Sequence, residues 1–292
     1  MSSASWSALE LARRETPGLP DALLVTELAR RTLDELSAEP PVSHEIVASM
    51  RGVVRIDEAE ISWAGCLACG REGLVITLRS GDPYGRKRFT AFHEIVHTYM
   101  PGFTVTTQYR CDPDISPDWS RARGRSLEAL CDLGAAELLF PQLAFREDTA
   151  GSVPTLPLAE QLAERYGASV EATARRLVTL RGPALFLALE PACRPRGPWE
   201  EPKLRVQWVH LSGGWPFVPR HKSVPADSLL ARPLTGERVE EAVALTGLTA
   251  APIQDVRVSA GLYPYTDSHG TQHMRVLALV TPARPSRRRR AA

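Results

Sequence analysis

Residues 87–100 read Lys87-Arg88-Phe89-Thr90-Ala91-Phe92-His93-Glu94-Ile95-Val96-His97-Thr98-Tyr99-Met100. Phe89, Phe92, Val96 and Tyr99 recur at the period of an amphipathic helix, which Pro101-Gly102 ends. Within it lies an HExxH pattern, His93 to His97. Positions i and i+4 share a helix face, so both imidazoles can point at one metal ion. Glu94, beside His93, can reach a water held as the metal's fourth ligand. The expectation is a helix with Phe89, Phe92, Val96 and Tyr99 buried on one side and the histidines open to a cleft on the other.

A zinc site needs a third protein ligand. The metzincin extension would require a histidine at position 103 and a glycine at 100, where the chain has Phe103 and Met100. A later helix read over Ser126 to Phe140, with Ser126 as N-cap and Pro141 as its stop, carries Glu128-Ala129-Leu130-Cys131-Asp132. Glu128 and Asp132 again share a face. This pattern resembles the thermolysin-like arrangement, which implies Glu128 as zinc ligand and Asp132 as the carboxylate that holds a ligating imidazole by its other nitrogen. Asp112 and Asp114, in a proline-rich loop, are the rival ligands.

The rest of the chain organises around these helices. Asp21–Leu36 has helical apolar spacing; Pro40-Pro41 breaks it, and Ser43 caps a short helix. Val53–Ile56 and Gly73–Leu78 read as strands. Leu158–Leu180 reads as two short helices separated at Gly167. After Gly182 proline and glycine become frequent, with strand-like runs at 184–189, 204–210, 256–260 and 274–280. The chain of 292 residues, 43% hydrophobic and 24% charged, is suited to about two globular domains rather than to disorder or a coiled coil. No run is apolar enough to span a bilayer. The N-terminal 15 residues lack the apolar core of a signal peptide, which points to the cytoplasm. Arg284 and Arg287 to Arg290 more than account for the net charge of +1. The rest of the chain is therefore slightly acidic, without the basic signature of a nucleic-acid binder. The arginine tail reads as a solvated, disordered end. Five cysteines, an odd number, fit a reducing compartment.

Other signals are weaker. Cys66-Leu67-Ala68-Cys69 has knuckle spacing but no second pair, so it reads as two thiols in a turn between strands. Arg175, Arg176 and Arg181 on the second helix of 158–180 would suit a DNA-reading helix–turn–helix. Glu160 and Glu164 favour instead a packing or substrate-gripping role. Tyr99, Tyr109 and His210 are candidates for stabilising an oxyanion, and the residues do not choose among them.

Arg88-Phe89-Thr90-Ala91-Phe92-His93-Glu94-Ile95-Val96-His97 resembles the R-F-T-x-x-H-E-x-x-H signature of the ImmA/IrrE metallopeptidases. Ala135-Ala136-Glu137-Leu138-Leu139-Phe140-Pro141 resembles that family's A-A-E-L-L-x-P. Pro41-Val42 with its short helix and residues 158–180 are similar to further parts of it. The resemblance spans about residues 20–180. It implies a zincin-like core over 1–150 and a helix–turn–helix-like segment over 151–182; with the strand-like runs after Gly182, read as a β-rich domain over 183–283 that resembles a GAF-like domain only in being β-rich, the expected fold is α+β. Residues 284–292 form the basic tail. The implied activity is a zinc endopeptidase, with manganese the alternative metal. His93, His97 and Glu128 hold the metal, Glu94 is the general base and Asp132 lies behind the ligands. Known family members cut repressor proteins in stress and mobile-element responses, so the expected partner is a helix–turn–helix repressor, with no membrane. The rival readings are a zinc-holding regulator that does not cut, disfavoured by Glu94, and a DNA-binding regulator, disfavoured by the charge.

Overall fold

The computed structural model describes residues 6–70, 72–101, 108–111 (backbone only), 127–195, 200–249, 251–267 and 271–283. Asp112, Asp114, Ser126, Phe103, the side chains of Tyr109 and Cys111, and the arginine tail lie outside the described residues. The protein is mixed α+β. By contacts the chain divides into one unit of residues 1–148, 163–169 and 266–271 and a second of 149–162, 170–265 and 272–292. No helix among the described residues is long and apolar enough to cross a membrane.

The first unit opens with α1 (Ala8–Glu15), started by a capping box in which Ser7 and Glu10 exchange side-chain and backbone hydrogen bonds. Helices α2 (Asp21–Glu35) and α3 (His44–Met50) follow, then strands β1 (Val53–Ala59), β2 (Gly65–Cys69) and β3 (Leu74–Arg79). Helix α4 (Tyr84–His97), strand β4 (Gln108–Cys111) and helices α5 (Leu127–Leu139) and α6 (Gln142–Asp148) complete it. The sheet order is β1-β3-β2-β4, with β1 and β3 parallel and β2 antiparallel to both its neighbours. Helix α4 packs on β2 and β3 and against α5, which also packs on α2. Buried Ile76, Leu78, Phe92, Ile95, Val96 and Leu138 lie in this layer.

Two expectations change here. Cys66 and Cys69 lie within β2 rather than in a turn, and residues three apart on a strand point to opposite faces. Accordingly Cys66 is buried and Cys69 exposed. The histidine side of α4 is not open: Arg88 and every residue from Thr90 to His97 are buried, and only Phe89 among the apolar positions is half-buried. With β2 and β3 on one side and α5 on the other, α4 is a central helix.

Arg88 shows how α4 is tied in. It is 2% exposed, and its guanidinium donates to the Val42 carbonyl and to the carbonyls of Tyr166 and Gly167 (2.9 Å for Gly167). Glu137 is 1% exposed; it takes hydrogen bonds from Arg30 Nε (3.2 Å) and the Gln142 amide (3.0 Å), joining α2, α5 and the start of α6.

The second unit holds helix α8 (Val170–Arg181) and strands β5 (Ala184–Ala192), β6 (Lys203–Ser212), β7 (Val239–Leu245), β8 (Ile253–Thr266) and β9 (Gln272–Pro282). Their sheet order is β6-β5-β9-β8-β7. Helix α7 (Leu156–Tyr166) is divided between the two units in sequence. The core is aliphatic: Leu185, Leu187 and Leu189 of β5 lie with Val206, Val256, Val258 and Val276. Arg175 of α8 is 7% exposed, with its guanidinium 3.7 Å over the Trp208 ring and paired to Glu171. That places it in the fold of this unit rather than on a DNA-reading surface.

Candidate metal centre

Two helices supply the site. Helix α4 presents His93 and His97 one turn apart, with ring centroids 5.1 Å apart. Helix α5 presents Glu128 and Asp132, also one turn apart, with Cys131 beside them. The sequence favours both helices locally. The interior of α5 is rich in Leu, Ala and Glu, and α4 repeats apolar residues at 3.6-residue spacing.

Close approach of neighbouring elements sets the geometry. A Cβ on Gly65 of β2 would lie 2.4 Å from Thr90 Cγ2 and 3.2 Å from Glu94 Oε1. One on Gly134 of α5 would lie 2.8 Å from both Val96 methyls. Glycine at these two positions lets strand and helix close on α4 from either side.

The structure brings Glu128 to both histidines: its Oε2 is 3.0 Å from His93 Nε2 and 3.8 Å from His97 Nε2. Asp132 Oδ1 stands 2.9 Å from His93 Nδ1. Sequence spacing assigns Cys131 no role, yet its Sγ is 3.5 Å from His97 Nδ1. Each imidazole therefore meets a side chain of α5 at Nδ1, with the Glu128 carboxylate near Nε2. Partners at Nδ1 fix ring orientation and tautomer. His93, His97 and Cys131 also offer ligand atoms within 4.8 Å of one another, so a sulfur lies at the edge of the same cluster.

The environment perturbs these groups. Glu94 is fully buried, and neither carboxylate oxygen has a hydrogen-bond partner of ordinary geometry among the described residues. Burial pushes its pKa up to about 8; His93 and the Leu67 amide pull it down and Glu128 pushes it further up. Burial, then the charge of His93, pushes His97 down to about 3 against the pull of Glu128. That keeps the imidazole neutral, the form that binds metal. Burial alone would raise Glu128, but the hydrogen bond and charge of His93 and the charge of His97 hold it below the usual carboxylate range.

Two imidazoles, a carboxylate and a buried glutamate whose oxygens lack a hydrogen bond of ordinary geometry fit a zinc site with a polar ligand beside it: borderline nitrogen and oxygen donors suit zinc, and a buried carboxylate so weakly bonded is costly unless something polar meets it. Two of the oxyanion candidates, Tyr99 and His210, fall elsewhere; the side chain of the third, Tyr109, lies outside the described residues. Tyr99 is 1% exposed and its hydroxyl lies 2.8 Å from Thr32 Oγ1, with Arg51 over its ring. His210 belongs to the second unit, where Nε2 is 3.0 Å from Thr179 Oγ1.

Residues 62–178 match the family model described as the IrrE N-terminal-like domain, Peptidase_M78. No curated protein matches the chain in sequence. A solved structure, a Mycobacterium tuberculosis transcriptional regulator, is similar over 94% of this chain and 80% of its own, with a TM-score of 0.56 and 12% identity. At that identity the likeness is one of fold.

Proposed function

We propose that this chain, whose residues 62–178 belong to the IrrE N-terminal-like peptidase family, is a zinc-dependent endopeptidase of narrow specificity that cleaves a helix–turn–helix repressor. The observation that supports it best is the convergence of His93, His97 and Glu128 beside a fully buried Glu94. His93, His97 and Glu128 would hold the metal. A zinc ion held there would supply Lewis-acid polarisation of a peptide carbonyl and a water nucleophilic at neutral pH. Glu94 accepts the proton of the attacking water and passes it to the leaving amine. Asp132 and Cys131 keep the two imidazoles turned with Nε2 toward Glu128. His93, Glu94 and His97 are buried, and the low-dielectric surroundings strengthen their interactions. The β-rich C-terminal part senses or positions rather than cuts, and the protein acts in the cytoplasm.

The test is co-expression of the chain with repressors encoded beside its gene, comparing wild type with Glu94→Gln. Glutamine is nearly isosteric and Glu94 is not a proposed ligand, so the variant keeps its metal. Loss of the general base lowers cleavage by about 10²–10⁴-fold. If no repressor is cut by wild type and Glu94→Gln regulates equally well in cells, the protein is a non-cleaving zinc-containing regulator.

A further inference from the structure

Within the second unit, a pocket of about 540 Å³ opens between the end of β5, the start of β6 and the segment 219–223. Its volume is that of a small-molecule site, but its lining is unusual. Five cations face it: Arg194, Lys203, Arg205, Arg220 and Lys222. The single carboxylate of the lining, Glu200, pairs with Arg205 and, at 3.5 Å, with Lys203. Arg194, Arg220 and Lys222 have no ion-pair partner among the described residues. His221 adds a sixth nitrogen-bearing side chain, whose pKa is pulled down by burial and then by Arg220 and Arg205.

The framework under these charges is fixed. Arg205 is 5% exposed; its guanidinium donates to the carbonyls of Ala192 (3.0 Å) and His221 (2.9 Å) and to Glu200. Segment 219–224 is laced to β6 by the His221 amide on the Val206 carbonyl (2.7 Å), the Val206 amide on the Lys222 carbonyl (3.0 Å) and the Val224 amide on the Leu204 carbonyl (2.8 Å). The backbone that carries Arg220 and Lys222 is thereby held beside Arg205. Crowding like charges on an ordered backbone costs free energy that a multivalent anion relieves, and a site formed before binding loses little entropy on filling.

We propose that this pocket binds the polyphosphate group of a small molecule, a di- or triphosphate, separately from the metal centre. Arg194, Arg220 and Lys222 neutralise the ligand's outer phosphates and Arg205 forms the rigid floor. Arginine suits the bidentate geometry of phosphate oxygens, and lysine adds point charge. The pocket is open to solvent, and five cations gathered around about 540 Å³ match the charge density of a compact polyphosphate.

The test uses the intact chain, with inorganic triphosphate and ATP titrated by calorimetry in low salt. Both should bind, more weakly as salt is raised. Equal affinities would identify the bare polyphosphate as the ligand, and tighter ATP binding a nucleotide. The double variant Arg220→Glu/Lys222→Glu should weaken triphosphate at least tenfold, and Arg194→Ser about threefold. Arg257→Glu, a charge reversal at an exposed position of β8 outside the lining, should leave affinity within twofold and controls for the change in net charge. The proposal is overturned if triphosphate does not bind, if Arg257→Glu weakens it as much as the double variant does, or if a single-stranded oligonucleotide binds and triphosphate does not.

Discussion

Replacing Arg88 by methionine keeps a long apolar stem and removes a guanidinium that serves three carbonyls: Val42, Tyr166 and Gly167. Hydrogen bonds from a charged donor are worth about 1.5–3 kcal/mol each. Their simple sum overstates the loss, because arginine carries a desolvation cost of several kcal/mol that methionine avoids. The Val42 and Tyr166 carbonyls, however, are left buried, and that of Gly167 half-buried, without their donor. The net expectation is about 2–4 kcal/mol of destabilisation, a fall in Tm of about 5–15 °C for a unit of this size. Arg88→Lys should recover less than half of this, since a compact ammonium lacks the planar fork whose two NH2 groups serve the three carbonyls. Scanning calorimetry of the whole protein measures it, and the first unit's transition is the one that moves when zinc is added. A change in Tm below about 1 °C in Arg88→Met would refute the anchoring role.

Glu128→Ala should lose metal as completely as His93→Ala, whereas Asp132→Ala should weaken affinity only about 10–100-fold, as partners behind the ligands do; elemental analysis after dialysis separates the two outcomes. Cys131→Ala should cost about tenfold in zinc affinity, with Cys131→Ser largely restoring it. Complete metal loss in Cys131→Ala with retention in Glu128→Ala would instead make the thiol the third ligand. In the chelator-treated chain, Glu94 titrates near 8 when folded and near 4.5 when unfolded. The folded state thus binds the extra proton between these values, so stability should fall as pH rises from about 5 to 8. Glu94→Gln should flatten that slope in urea unfolding.

Much of the candidate site was legible because its information is local. Spacing of four residues put His93 over His97 and Glu128 over Asp132, and each helix was readable from its own period. What joins the helices was not legible. The place of Cys131 depends on the rotation of α5 against α4, which Gly134 and Val96 set through contact across 38 positions. The openness of the histidine face was misjudged for a similar reason: amphipathic spacing marks one buried side, but a helix covered on both sides hides its polar side as well. The second unit's runs at 184–189 and 274–280 were visible because 184–189 and 276–280 are continuously apolar on inner strands of the sheet. Strand β7 was not, since Glu240 and Glu241 interrupt its alternation and it lies at the sheet edge.

Gly65 and Gly134 bear on how variation in this chain will be tolerated. Neither carries a functional group, yet each sits where a single added methyl meets α4 closer than van der Waals contact. A saturation screen for loss of function should therefore return these two positions beside His93, Glu94, His97 and Glu128. Ranked by phenotype alone they would pass for members of the catalytic set. Metal content would separate them only by degree, because displacing α4 also moves both imidazoles. Selection at the two glycines acts on the width of a gap, and no larger amino acid can substitute without a compensating cut in Thr90 or Val96.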